Sequence, residues 1–207
     1  GDDPANLVGS HTSIAIGGDS LPVISYYDIT DGDLKVMKCG NLDCSAGNTT
    51  TTVDASPNDV GRYSSITIDP GSGAPWVSYY DATAGDLKVA LCGNEACSSG
   101  NVVSTADGSA NDVGSYSSIV LDQPGYVVIA YYDATIGDLK LARCTSGPPC
   151  EIRVVDSSAN DVGSHSSLAK TRAGRALFSY YDKTAQALKV AVCDAFCFSQ
   201  PAQITTI

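Results

Sequence analysis

Val77-Ser78-Tyr79-Tyr80-Asp81-Ala82-Thr83-Ala84-Gly85-Asp86-Leu87-Lys88-Val89-Ala90-Leu91-Cys92 decides the fold, because the chain writes this stretch in four related versions. The clearest word in it is a Tyr-Tyr-Asp triplet, found at Tyr26-Tyr27-Asp28, Tyr79-Tyr80-Asp81, Tyr131-Tyr132-Asp133 and Tyr180-Tyr181-Asp182. The triplet aspartates stand 53, 52 and 49 positions apart. A period of that size marks supersecondary units that bury their faces only against one another. The repeats run over approximately 1–53, 54–106, 107–155 and 156–207, within a single domain spanning 1–207.

The second repeat is the most regular. Ser64–Ile68 reads as a strand A, the Gly- and Pro-rich run 69–74 as a turn, and Pro75–Asp81 as strand B. Ala82-Thr83-Ala84-Gly85 is a hairpin loop, Asp86–Cys92 is strand C and Asn101–Ala106 is strand D. No stretch carries a sustained 3.6-residue apolar period, so no helix is expected. Side chains alternate along a strand, and strand B is bulky on both sides: Trp76, Ser78 and Tyr80 on one, Val77, Tyr79 and Asp81 on the other. A sheet needing cover on both faces is satisfied by stacking copies radially about an axis, which predicts an all-β protein, a β-propeller of four four-stranded antiparallel blades. The small pairs Thr12-Ser13, Ser64-Ser65, Ser117-Ser118 and Ser166-Ser167 suit strands crowded near that axis. Gly1–Gly9 matches the linker Val53–Gly61, with Asp2 at the position of Asp54, so that Ile207 and Gly1 could meet in a closed ring or in a head-to-tail polymer.

Eight cysteines fall as one local pair per repeat: Cys39 with Cys44, Cys92 with Cys97, Cys144 with Cys150, and Cys193 with Cys197. Each pair brackets the turn between strands C and D, where a disulfide clamp is natural, and two sulfurs per site fall short of the four ligands of structural zinc. Disulfides imply an oxidising compartment. The chain begins at Gly1 rather than at methionine, which reads as a product with its signal peptide removed, extracellular or at the cell surface. A net charge of -11 would repel nucleic acid, and mean hydropathy of zero with 17% charged residues predicts no membrane insertion.

The pattern from Ile66 to Cys92 resembles the repeats of secreted or surface-exposed bacterial β-propeller proteins, with the consensus Ser-Tyr-Tyr-Asp-x-Thr-x-Gly-Asp-Leu-Lys-Val-Ala-x-Cys. The resemblance covers the whole chain in four copies and implies a propeller, not a reaction. The Ser-x-Asp-x-Gly-x-Thr-Trp turn of sialidase-like propellers is absent, and the local cysteine pairs differ from the first-to-last-blade disulfide of hemopexin-like modules.

The repeated polar constellation lies in the B–C hairpin. Across it Asp28 faces Asp33 and Tyr26 faces Lys35, so two carboxylates flank a lysine. The same set recurs as Tyr79, Asp81 and Lys88, as Tyr131, Asp133 and Lys140, and as Tyr180, Asp182 and Lys189. Ala187 replaces the second carboxylate in the last repeat, which makes Asp-Lys-Tyr the persistent unit and favours a structural charge and cation-π cluster. A retaining glycosidase could use such a carboxylate pair, but repeated turns each neutralised by a lysine lack the asymmetry of an acid and base pair. His11 and His165 occupy the slot of Tyr63 and Tyr116 and read as aromatic substitutes.

No catalytic residue and no cofactor signature is found. Asp59, Asp112 and Asp161, in the recurring Asn-Asp-Val-Gly linker, form a ring that could collect calcium, but Leu7 breaks it, and turn chemistry is the first reading. Asn48-Thr49-Thr50 is a lone glycosylation sequon. These features predict a non-enzymatic extracellular structural or interaction protein that assembles with itself into a filament or surface layer. The alternative is a glycan-binding, lectin-like propeller, for which Trp76 is the one tryptophan available.

Overall fold

The computed structural model describes residues 6–145 and 149–207, folded as a β-propeller of four four-stranded antiparallel blades. Blade 1 comprises β1 (Val8–Ile16), β2 (Pro22–Asp28), β3 (Asp33–Lys38) and β4 (Thr49–Asp54). Blade 2 comprises β5 (Val60–Ile68), β6 (Pro75–Asp81), β7 (Asp86–Leu91) and β8 (Val102–Asp107). Blade 3 comprises β9 (Val113–Gln123), β10 (Tyr126–Asp133), β11 (Asp138–Cys144) and β12 (Glu151–Asp156). Blade 4 comprises β13 (Val162–Lys170), β14 (Ala176–Asp182), β15 (Ala187–Cys193) and β16 (Gln203–Thr206). A single 3-10 turn, Asp194–Cys197, is the sole helical element among the described residues.

Each blade is a meander in sequence order, because its turns are too short for anything but an antiparallel return. The first strand of each blade begins earlier than periodicity alone suggests. In blade 2 the linker residue Val60 already pairs with Asp81, and a bulge between Arg62 and Ser65 separates this pairing from the regular ladder. The same interruption lies between Ser10 and Ser13, Ser115 and Ser118, and Ser164 and Ser167.

The core lies between blades. Val23, Leu34, Val36 and Val53 of blade 1 pack on Val60, Ile66, Val77, Tyr79 and Ala90 of blade 2, and equivalent layers join blade 2 to 3 and blade 3 to 4. The paired serines of the inner strands are stitches as well as small residues. Ser64, Ser117 and Ser166 donate to the bulge carbonyls of His11, Tyr63 and Tyr116 in the preceding blade. Ser13, Ser65 and Ser118 accept the backbone N–H of Ile66, Ile119 and Leu168 in the following one. A hydroxyl on each side thereby satisfies backbone groups that the bulge removes from the ladder.

All four local disulfides close, Cys39–Cys44, Cys92–Cys97, Cys144–Cys150 and Cys193–Cys197, with Cα separations of 4.4–4.9 Å. Four disulfides fit an oxidising environment. Among the described residues no helix is long and apolar enough to cross a membrane. Asn48 serves the clamped turn: its side chain accepts from Gly40 N–H and donates to the Cys44 carbonyl, as Asn101 does to Gly93 and Cys97 in blade 2, where no sequon follows.

Candidate functional site

The bulges of the inner strands build the site. His11, Tyr63, Tyr116 and His165 all sit at φ of 51–54°, a left-handed backbone that costs a side-chain-bearing residue on the order of 1–3 kcal/mol and persists only where its surroundings enforce it. The consequence is geometric. The four rings leave the alternation of their strands and form one continuous arc, with centroids 4.5 Å apart for His11 and Tyr63, 4.6 Å for Tyr63 and Tyr116, and 4.3 Å for Tyr116 and His165. The rings are tilted at 45–58° to their neighbours rather than stacked flat, and the two histidines at the ends are exposed.

A second tier supports the arc. Tyr27, Tyr80, Tyr132 and Tyr181 lie 6.1–6.5 Å from the ring of their own blade. The hydroxyls of Tyr27, Tyr80 and Tyr132 donate to Asp59, Asp112 and Asp161 of the following blade at 2.7, 2.7 and 2.5 Å. These are the carboxylates that the sequence suggested as a calcium ring; here each accepts a tyrosine across a blade boundary. No group of three or more His, Cys, Asp or Glu side chains suited to a metal is found among the described residues. Arg62 forks onto Asp59 and lies 5.4 Å from the Tyr27 ring centre, placing a cation beside the arc. Burial, and after it the charge of Arg62, lowers the pKa of His11, so its imidazole is neutral at physiological pH, able both to donate and to accept.

The Asp-Lys-Tyr constellation sits elsewhere, inside the blade boundaries. Tyr26 pairs with Lys35 and Asp28 with Asp33 in the hairpin register, and in three blades the lysine stays close to its hairpin aspartate, Lys35 to Asp28 at 2.7 Å and Lys140 to Asp133 at 3.4 Å. Lys189 and Asp182 are 3.7 Å apart. The closer partners of the last three lysines are residues that hairpin reasoning does not bring in. Asp54, at the end of β4, accepts from Lys88 at 2.5 Å and from Tyr79 at 2.8 Å. Asp107 accepts from Lys140 and Tyr131, and Asp156 from Lys189 and Tyr180. The signal was present in the repeats, since Val53-Asp54, Ala106-Asp107 and Val155-Asp156 recur just before each linker. Asp2, which the sequence aligns with Asp54, lies outside the described residues. The hairpin aspartates have another duty: Asp28, Asp81, Asp133 and Asp182 each accept the side-chain amide of a linker asparagine, Asn6, Asn58, Asn111 or Asn160.

Asp33, Asp86 and Asp138, across the hairpin, are raised in pKa by burial first and then by neighbouring carboxylates. A carboxyl raised above its unfolded value favours folding only at low pH, and this support is lost as pH rises through the folded pKa. Asp86→Asn is therefore expected to raise the unfolding free energy at pH 7 by about a few tenths of a kcal/mol, with the gain vanishing at pH 3. Urea titrations at the two pH values check it, and a loss at pH 7 refutes it.

Trp76 is buried between blades 2 and 3, which removes the one tryptophan as an exposed platform. Tyr79, Tyr131 and Tyr180 are buried likewise. The arc offers aromatic surface instead, with His11 and His165 exposed and Tyr63 and Tyr116 half-buried.

No protein-family model and no curated protein sequence matches this chain. Solved structures do match. A β-1,3-galactosidase of glycoside hydrolase family 43 superposes with a TM-score of 0.58 at 8% identity, covering 90% of this chain and 43% of that one. A thermostable family-43 glycoside hydrolase gives 0.56 at 11% identity, covering 94% and 73%. A leech intramolecular trans-sialidase gives 0.57 at 14% identity, covering 84% and 29%. This chain thus spans less than half the length of the galactosidase and of the trans-sialidase, and at these identities the likeness establishes the propeller fold.

The expectation of a non-enzymatic protein is overturned by the same finding, since the matched propellers are enzymes. It rested on the equivalence of four hairpin turns. The inner rim breaks that equivalence, with histidine at two of its four positions, Arg62 in one blade alone and Leu7 where the others carry aspartate.

Proposed function

We propose that this protein is an extracellular carbohydrate-binding propeller whose inner-rim arc of His11, Tyr63, Tyr116 and His165 takes a neutral oligosaccharide. The observation that carries this reading is the repeated left-handed bulge, which turns four aromatic rings into one surface at a conformational cost paid four times. An aromatic face attracts the weakly positive C–H face of a sugar ring, while polar groups around it grip hydroxyls. Arg62, Asp59, Asp112 and Asp161 supply such groups around the arc. The net charge of -11 and the carboxylates of the rim disfavour acidic sugars, which selects neutral ones. The family-43 hydrolases among the structural neighbours support a carbohydrate ligand at the level of fold.

Affinity electrophoresis through gels cast with neutral polysaccharides, followed by calorimetry with the oligosaccharides of any that retard the protein, tests this. Tyr63→Ala and Tyr116→Ala are each expected to weaken binding about 2- to 12-fold, equivalent to ~0.5–1.5 kcal/mol per aromatic contact, while Tyr116→Phe keeps most of the affinity. Chromatography of the bound oligosaccharide after incubation reads turnover in the same samples. Retardation by none of the neutral polysaccharides, or alanine variants that bind as tightly as the parent, would refute the assignment.

A further inference from the structure

Each internal blade boundary joins two faces of fixed composition, and among the described residues blades 1 and 4 leave those same two faces uncovered. On the face that looks toward the preceding blade, Ile66, Ile119 and Leu168 are 5–6% exposed, whereas their blade 1 counterpart Ile14 is 61% exposed. Val77, Ile129 and Phe178 are fully buried, whereas Ile24, in the same position, lines an apolar groove of about 230 Å³ together with Val8, Thr12 and Met37. On the opposite face Leu34, Leu87 and Leu139 are 0% exposed, and their blade 4 counterpart Leu188 is 49% exposed.

Backbone spacing tells the same story. A Cβ on Gly61, Gly114 or Gly163 would stand 2.7–2.8 Å from the Cα of Leu34, Leu87 or Leu139, while one on Gly9 would meet nothing within 4 Å. We infer that the face of blade 4 docks on the face of blade 1 of a second copy, Leu188 over Gly9, so that the protein associates head to tail.

The internal boundaries are the template for this contact, since the uncovered faces are the two halves that pair three times within the chain. Ile14, Ile24, Met37, Leu188 and Val190 carry no charge to desolvate. Met37 stands where the other blades have alanine, and a flexible thioether fills an imperfect fit better than a branched side chain would. One difference makes this boundary separable. Leu7 replaces the aspartate that accepts the tyrosine hydroxyl at the other boundaries, so Tyr181 gains an apolar neighbour instead of a hydrogen bond. The junction also brings His165 next to the second copy's His11 and prolongs the aromatic arc from one copy to the next. Because the two surfaces differ, the contact is heterologous and either closes a ring or runs on as a filament.

Sedimentation velocity over a wide concentration range, with negative-stain imaging, tests this on the parent protein and on Ile14→Asp and Leu188→Asp. Both positions are exposed, so neither change threatens the fold, and circular dichroism checks that. The parent is expected to sediment as species larger than its chain mass of 21.3 kDa, and each variant as a monomer. Mixing the two variants is expected to restore a 1:1 dimer and nothing larger, since one intact face of each kind remains. A parent that stays monomeric throughout, a variant that still assembles, or a mixture that stays monomeric would each overturn the proposal.

Discussion

Asp54→Ala is expected to cost about 3–5 kcal/mol of folding free energy, the range for stripping one partner from a buried ion pair. Asp54 ends blade 1, but the groups it holds belong to blade 2: the ammonium of Lys88 and the hydroxyl of the fully buried Tyr79. The Lys88 side chain is 12% exposed and lies 5.7 Å from the Tyr79 ring centre, so without Asp54 a positive charge is left among apolar groups with little water to solvate it. Asp54→Asn keeps an acceptor for Tyr79 and should fall between. Asp54→Ala combined with Lys88→Met removes both charges and should recover much of the loss. Guanidinium titrations of the four proteins decide it, and a single-variant loss below about 1 kcal/mol would mean that the pair does not join the blades.

The same carboxylates set the acid limit of the fold. Burial pushes the pKa of Asp54, Asp107 and Asp156 up, but the hydrogen bonds from Lys88 and Tyr79, Lys140 and Tyr131, and Lys189 and Tyr180 outweigh it and leave all three below the ordinary value of 3.8. A depressed carboxyl contributes stability that is complete above its unfolded pKa and is lost as pH falls through the folded one. The blades should therefore hold through mild acid and come apart below about pH 4, and the Asp54 variant should lose part of that dependence.

Much of this architecture was legible because it is local. Strand B carries alternating bulk, the hairpin loop carries glycine, and both repeat at the same offset, so β6 begins and ends where the residues say. The cysteine pairs were legible for the same reason. What the residues hid depends on contacts about 50 positions apart. The serine pairs read as small, yet their hydroxyls stitch one inner strand to the next. Tyr63 and Tyr116 stand just before the serines that open strand A, so alternation assigned them no face. A bulge at positive φ, uncommon for any side-chain-bearing residue and most of all for tyrosine, turned them to the rim. The lysines were paired within their hairpins because a sheet register is computable from one repeat, whereas the aspartate at the end of the preceding blade is not. Strand alternation thus orders the side chains that stay in the ladder and says nothing of the four that leave it.

The bulge glycine carries the second large effect. Gly114→Ala is expected to destabilise the protein by about 2–6 kcal/mol, combining ~1–3 for a side chain held at positive φ with ~1–3 for overpacking. Its φ is 110°, and the added methyl would stand 2.7 Å from the Cα and 2.9 Å from the N of Leu87, backbone atoms of β7 that cannot rotate away. Gly9→Ala is the internal control. Its φ of 90° imposes a comparable backbone penalty, but nothing lies within 4 Å of the added carbon. The difference between the two variants in urea titrations of monomeric protein therefore measures the close approach alone, and equal losses would show that blade spacing is set by side chains rather than by bare backbone. Head-to-tail association adds a condition to the control. Where copies meet, Leu188 of one covers Gly9 of the next, and the methyl that is harmless in a monomer becomes the methyl that clashes at an internal boundary. Gly9→Ala should then lower the sedimentation coefficient of concentrated protein while leaving the dilute monomer no worse than its backbone strain requires.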